Sequence, residues 1–208
     1  MRPDGHQAWS QPAAGRVVAI AWAPDGIRIA YVVRDGRRLA LHLIWGTGTH
    51  DRLLERSVRA VTPSWRADSL AVAYVGAGGK AVVYDIFHGT RAVVPSSPPD
   101  VSQVAFAPSG TRLGMLGRGL VVAGPTHLRT RLPIAGIGWF GRTFVTVTRG
   151  GSFGPLHTGS VSAFATSGRT FATVVDRGRR VVAGLPHHFA PVLSLPRGAR
   201  VTSIDVRQ

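Results

Sequence analysis

Three strings in this chain carry the spacing of catalytic or nucleotide-binding motifs, and each fails on its surroundings. Gly150-Gly151-Ser152-Phe153-Gly154 has the G-x-S-x-G spacing of a nucleophile elbow and follows an apolar run, Phe144 to Thr148. An elbow works because a helix starts directly behind the serine and aims backbone donors at the oxyanion. Here Pro155, Leu156, His157, Thr158 and Gly159 follow, and no helix starts and persists through them. Asp176 and His187 come in the order of a triad, but no α/β pattern brings them to the serine. Gly136-Ile137-Gly138-Trp139-Phe140-Gly141 matches G-x-G-x-x-G with two bulky rings where backbone should approach phosphate, and again no helix follows. Gly76-Ala77-Gly78-Gly79-Lys80 is followed by Ala81, without the hydroxyl of a phosphate loop, and reads as a hairpin turn.

Metal chemistry is poorly furnished. Cysteine is absent, which removes thiolate ligands, thiol nucleophiles and disulfides together. His187 and His188 are adjacent, so on extended chain their rings point to opposite sides. The expectation is no metal, no cofactor and no catalytic residue.

Arginine offers the remaining chemistry. Lys+Arg total 25 against 10 Asp+Glu, a formal charge of +15, with Lys80 the only lysine and Glu55 the only glutamate. Asparagine is missing, and Ala, Gly, Val and Pro are abundant. This skew is what a GC-rich genome writes, so base composition accounts for much of the arginine. A field of this sign also draws in carboxylates and phosphates. The arginines are dispersed, without a recognition helix, zinc finger or aromatic RNA-binding strand beside them.

The elements that position these residues follow from an internal repeat. A strand ending in an aromatic residue, a turn and a second strand recur as VVAIAWAPDGIRIAYVV, VTPSWRADSLAVAYVG, VSQVAFAPSGTRLGMLG, IAGIGWFGRTFVTVT and VSAFATSGRTFATVV, with a sixth start at RVTSIDVRQ. The anchors are Trp22, Trp65, Phe106, Trp139 and Phe164, spaced by 43, 41, 33 and 25 residues. The longer intervals suit a four-stranded unit; the shorter two predict a degenerate fourth copy or one lacking outer strands. Runs rich in β-branched residues, broken every six to eight residues by Gly and Asp-Gly turns, predict antiparallel hairpins and an all-β chain. Ile27, Ile29, Tyr31 and Val33 alternate onto one face. Residues 1–15 form an N-terminal segment, read as an outer strand, and 16–208 the repeat domain.

Trp22-Ala23-Pro24-Asp25-Gly26-Ile27-Arg28-Ile29-Ala30 and Val82-Val83-Tyr84-Asp85-Ile86-Phe87-His88-Gly89-Thr90 resemble the blades of bacterial TolB-like and WD-repeat β-propellers. The resemblance spans residues 16–206. It implies a propeller of about five recognisable blades, partial or incompletely closed, with the five rings packed between blades. A Trp-Asp pair and the blade histidines of eukaryotic WD repeats are absent. TolB-like relatives work in the bacterial envelope, whereas the N-terminus here lacks an apolar signal region; the chain as given therefore reads as cytoplasmic, or as an envelope protein if an upstream anchor exists. No apolar run is long enough for a transmembrane helix.

In a blade of strands A to D, the A–B and C–D turns share one face, and the B–C and D–A connections share the other. The second face then collects Arg34, Arg37, Arg38, Lys80, Arg118, Arg177, Arg179 and Arg180, with Arg56, Arg59, Arg197 and Arg200 from D–A connections. The first carries Asp25 and Asp68 and the histidines His50, His88, His127, His187 and His188. Guanidinium groups gathered this way suit bidentate contact with carboxylate or phosphate. The resulting expectation is a non-catalytic module for protein interaction or sensing, whose partner is an unidentified protein, acidic where it docks on these arginines. A polyanion-binding module, for nucleic acid or an anionic envelope polymer, is the second reading, and a propeller attached to a hydrolase domain the third.

Overall fold

The computed structural model describes residues 9–10, 15–118, 120–123, 126–129, 133–150, 152–153, 156–157, 161, 163–167, 170–175, 179–185, 188–196, 199 and 201. Apolar runs of four to eight residues between tight turns fold into five antiparallel up-and-down units. The first is β1 (Arg16–Trp22), β2 (Arg28–Asp35), β3 (Arg38–Trp45) and β4 (Arg52–Glu55), hydrogen-bonded in that order. The second is β5 (Ser64–Trp65), β6 (Ala71–Val75), β7 (Ala81–Asp85) and β8 (Thr90–Val93). The third is β9 (Val101–Phe106), β10 (Leu113–Gly117), β11 (Leu120–Ala123) and β12 (Thr126–Arg129). In the fourth, β13 (Ile134–Phe140) pairs with β14 (Thr143–Thr148), while β15 (Ser152–Phe153) and β16 (Leu156–His157) form a separate two-stranded ladder. The fifth is β17 (Ala163–Ser167), β18 (Thr170–Val175), β19 (Arg180–Leu185) and β20 (His188–Ser194). No described residue is helical.

The interval of 33 residues behind Phe106 therefore holds four strands after all. Its outer strands are four residues long and only two residues separate each from the next. The interval of 25 behind Trp139 is the compressed one, and its outer strands shrink to two residues each.

The second and third blades have central strands buried on both faces, which is why β6 and β10 are apolar throughout rather than alternating. In β2, Ile29, Tyr31 and Val33 turn to one side and pack with Trp22 and Trp9, while Ala30 and Val32 turn to the other and pack against Trp65, Val72 and Tyr74 of the second blade. Ile27, grouped with the first set on its spacing, sits in the turn before β2 and is exposed. Trp9 thus occupies, beside the first blade, the place a preceding blade would fill, and its indole N–H donates to the Gly46 carbonyl. At the far end Val201 packs on Ala172, Val174 and Val181 of the fifth blade. Among the described residues the five blades form an arc that does not close into a ring. The remainder of segment 1–15 and the sixth repeat beyond Val201 lie outside the described residues.

The rings of Trp65, Phe106 and Trp139 sit in the seams, whereas Trp22, expected between blades, packs with Trp9 on the side of the first blade away from the second. Trp65 and Trp139 are 7% and 2% exposed. The Trp65 indole donates to the carbonyl of Ala21 at 3.1 Å, and Trp139 donates to that of Ala105 at 2.8 Å, each carbonyl belonging to the residue before the preceding anchor. Phe106 has no such donor. At its seam the backbone N–H of Phe106 donates to Ser64 Oγ, and the ring packs part-buried among Val101, Val104 and Met115. Gln103 joins the third and fourth blades by donating to the Ala135 carbonyl and accepting from the Ile137 N–H. The Phe164 side chain lies outside the described residues.

Candidate functional site

The connections sort onto two faces as the strand order requires. On the first, the Gly46 N–H of the C–D turn in blade one donates to the Ile27 carbonyl of the A–B turn, and Ile86 donates likewise to Leu70 in blade two. On the second, the Lys80 ammonium, from a B–C turn, donates to the Ser97 carbonyl of a D–A connection at 3.0 Å. His127 and His188 sit in β12 and at the start of β20 rather than in loops.

The A–B turn acids are structural. Asp25 accepts from the Ile27 N–H at 2.8 Å and from the Arg28 guanidinium at 2.6 Å; Asp68 repeats this with the Leu70 N–H and Arg66. Partial burial works against ionising Asp25, but the hydrogen bonds and charge of Arg28 outweigh it and keep its pKa below the usual range. The hydrogen bond from Arg66 does the same for Asp68. Two arginines unremarked in the sequence have clear places. Arg28 lies over the Trp65 ring at 5.8 Å and Arg112 over Trp139 at 4.9 Å, each six residues after its own blade's anchor and reaching the next. The signal was present: an arginine follows the Gly of the A–B turn by two residues in both copies.

On the second face the predicted cations divide. Arg118 Nε lies 2.5 Å from Asp100, and Arg59 donates to the same carboxylate at 3.0 Å. The hydrogen bond from Arg59 and the charge of Arg118 hold the Asp100 carboxyl below its ordinary value. Arg118 and Asp100 both take left-handed backbone conformations, φ 25° and 47°. With Lys80 tied to Ser97, the second and third blades hold their cations in internal contacts.

The first blade differs. The turn between β2 and β3 presents Arg34, Arg37 and Arg38, all exposed. Arg16 joins them, because β1 and β2 pair with Arg16 directly opposite Arg34. Asp35 is the register partner of Arg38 but makes no ion pair with it. Among the described residues none of these four arginines has a carboxylate partner. Like charges directly opposite on paired strands repel, so the arrangement costs stability rather than adding it. Sequence reasoning missed Arg16, since register alone places it there. In the fifth blade Arg179 and Arg180 are exposed at the corresponding turn, and Arg177 lies outside the described residues.

The strings set aside from sequence lie in strands and turns. Ser152 stands in β15 opposite His157 of β16, so strand rather than helix follows it. Gly136 and Gly138 lie inside β13, and Gly79 donates to the Gly76 carbonyl in the turn before β7. Among the described residues no group of three or more His, Asp or Glu could hold a metal, and no helix is long and apolar enough to cross a membrane.

No protein-family model matches the chain, and no curated protein matches it. Solved structures do. U3-55K superposes with TM-score 0.65 at 14% identity, covering 87% of this chain and 64% of that one. The WD40 repeats of RRP9 give 0.64 at 13%, covering 87% and 63%. TolB from Acinetobacter baumannii gives 0.61 at 17%, covering 81% and 53%. The chain spans just under two thirds of the WD40 structures and about half of TolB. At these identities the likeness is one of fold: an all-β propeller arc of the WD-repeat and TolB type.

Proposed function

We propose that this chain is a non-catalytic protein-interaction module that docks an acidic segment of a partner protein on the face carrying the B–C and D–A connections. The observation that carries the reading is the group of Arg16, Arg34, Arg37 and Arg38 at one end of the first blade, where two arginines face each other across a ladder without an acid between them. A folded protein that keeps such a repulsive pair gains from it when an anion arrives, because planar guanidinium groups take carboxylates two hydrogen bonds at a time. The net charge of +15 would bring acidic partners in quickly and at long range. Lys80 and Arg118 belong to the same face but contribute less, being occupied by Ser97 and Asp100. Arg179 and Arg180 extend it in the fifth blade.

Fluorescence anisotropy with a labelled acidic dodecapeptide tests this. The triple variant R34Q/R37Q/R38Q is expected to bind at least tenfold more weakly, while R118Q binds within twofold of the parent. Equal losses in both would overturn the assignment to the first blade. A single-stranded oligonucleotide of equal charge that binds more tightly than the peptide, with an affinity falling steeply as salt rises, would favour the polyanion reading instead.

A further inference from the structure

On the face opposite those arginines, the seam between the first two blades opens into a cavity of about 560 Å³. Its wall is the first blade itself: register places Trp45 opposite Arg28 and Leu43 opposite Arg52, so Leu43, Trp45 and Arg52 look into one space, closed from the second blade by Ile86. We propose that this groove is a docking site for a short peptide segment of a partner that places a bulky apolar side chain next to a carboxylate.

Charge decides the second half of that motif. Arg28 is neutralised by Asp25, both at the rim, whereas the Arg52 guanidinium has no ion pair or side-chain hydrogen bond among the described residues. Arg52 is thus a cation beside an apolar wall, and a carboxylate completes it. Exposed apolar surface decides the first half. Trp45 is 44% exposed, and Ile27, at the lip, is 52% exposed. The apolar surface continues past the cavity through Leu70, whose carbonyl accepts from the Ile86 N–H, and Phe87, which is 78% exposed. A chain lying across the seam covers this surface; a small molecule confined to the cavity leaves it wet. Exposed apolar area rimmed by polar groups is the usual mark of such contacts.

The site is also held in shape. Asp51 accepts from the Tyr31 hydroxyl at 2.7 Å and lies 3.2 Å from His42 Nδ1, which pins the loop between His50 and Arg52 to the body of the blade. His50 takes a left-handed conformation, φ 55°, and its ring lies 4.7 Å from that of Trp45. The tryptophan is therefore fixed before a ligand arrives, which lowers the entropy lost on binding.

Three fluorescein-labelled octapeptides, identical except for a central Phe-Asp, Phe-Asn or Ala-Asp, test the proposal by anisotropy. Phe-Asp is expected to bind at least tenfold more tightly than either of the others. R52Q should erase the preference for Asp over Asn while leaving the Phe-Asn affinity unchanged, and W45A should weaken all three. R142Q, an exposed arginine lost from a distant blade, controls for net charge and should retain the full preference. A parent that binds no peptide at millimolar concentration, or an R52Q variant that still distinguishes Asp from Asn, would overturn the proposal. Displacement of the peptide by 3-phenylpropionate at equal concentration would overturn its assignment to a peptide. Because these residues lie on the face away from Arg34, Arg37 and Arg38, either reading can fail without the other.

Discussion

Strand β2 begins with one arginine and carries another next to its last residue, Asp35, and the two have opposite fates. Arg28 is held between the Asp25 carboxylate and the Trp65 ring in the seam with the second blade. Arg34, near the other end, stands opposite Arg16 and beside Arg37 and Arg38, with no carboxylate paired to it among the described residues. Composition alone treats these residues as equal. The difference is that one end of the strand meets a neighbouring blade carrying an aromatic ring, and the other end meets solvent. An arginine in a seam stabilises the fold; an arginine at a hairpin tip is available to something else.

The largest effect should come from removing the ring under Arg28. Trp65→Ala takes away a buried side chain and leaves the Ala21 carbonyl without its donor, at a cost of about 3–5 kcal/mol in chemical denaturation. A variant that melts with the parent would show that the rings do not hold the seams. Trp65→Phe keeps an aromatic ring of smaller size and loses the N–H, and is expected to cost less than Trp65→Ala, about 1–2 kcal/mol. Next in size is a swap of sites. R34Q/R37Q/R38Q should lose acidic-peptide affinity at least tenfold, about 1.4 kcal/mol, with a denaturation midpoint no lower than the parent's, because the change also relieves the Arg16–Arg34 repulsion. R28Q should keep that affinity and destabilise by about 1 kcal/mol. If both variants changed both quantities alike, the distinction between the two ends of β2 would collapse.

Asp100 sharpens the contrast further, because it converts the Arg59–Arg118 junction from the tip kind into the seam kind. D100N should free both guanidinium groups and raise acidic-peptide affinity a few-fold. Its acid behaviour follows from the lowered carboxyl. A depressed folded pKa contributes stability above the ordinary carboxylate value near 3.9 and loses it as pH falls through the folded value. Below about pH 4 the parent should therefore lose more stability than D100N, read from denaturation midpoints across pH 2 to 6. Parallel acid limbs would mean that the junction carries no net ionic stabilisation. The smallest effect belongs to R16Q, which relieves the cross-strand repulsion and should raise stability by a few tenths of a kcal/mol.

Much of this was legible in the chain. The recurring aromatic anchors, the hairpin spacing and the sorting of turns onto two faces all follow from local signals, and the resemblance to TolB-like and WD-repeat blades agrees with the folds that superpose. The length of the third blade was misjudged, because two-residue gaps between four-residue strands compress a blade without altering its strand count. Arg16 was missed because nothing within a single strand announces which residue will face it. The divided roles of Lys80, Arg118 and Arg34 were equally hidden. Each occupies a B–C turn, and only the D–A connection folded against it decides whether it meets Ser97, Asp100 or water.

What this amino-acid order determined by itself was the blade: short apolar runs, glycine turns and one large ring per unit are properties of neighbouring residues. What tertiary structure alone decided was which charges find partners and where cavities open. Coulomb energy and packing depend on distances between atoms far apart in the chain, and those distances exist only once the blades have stacked.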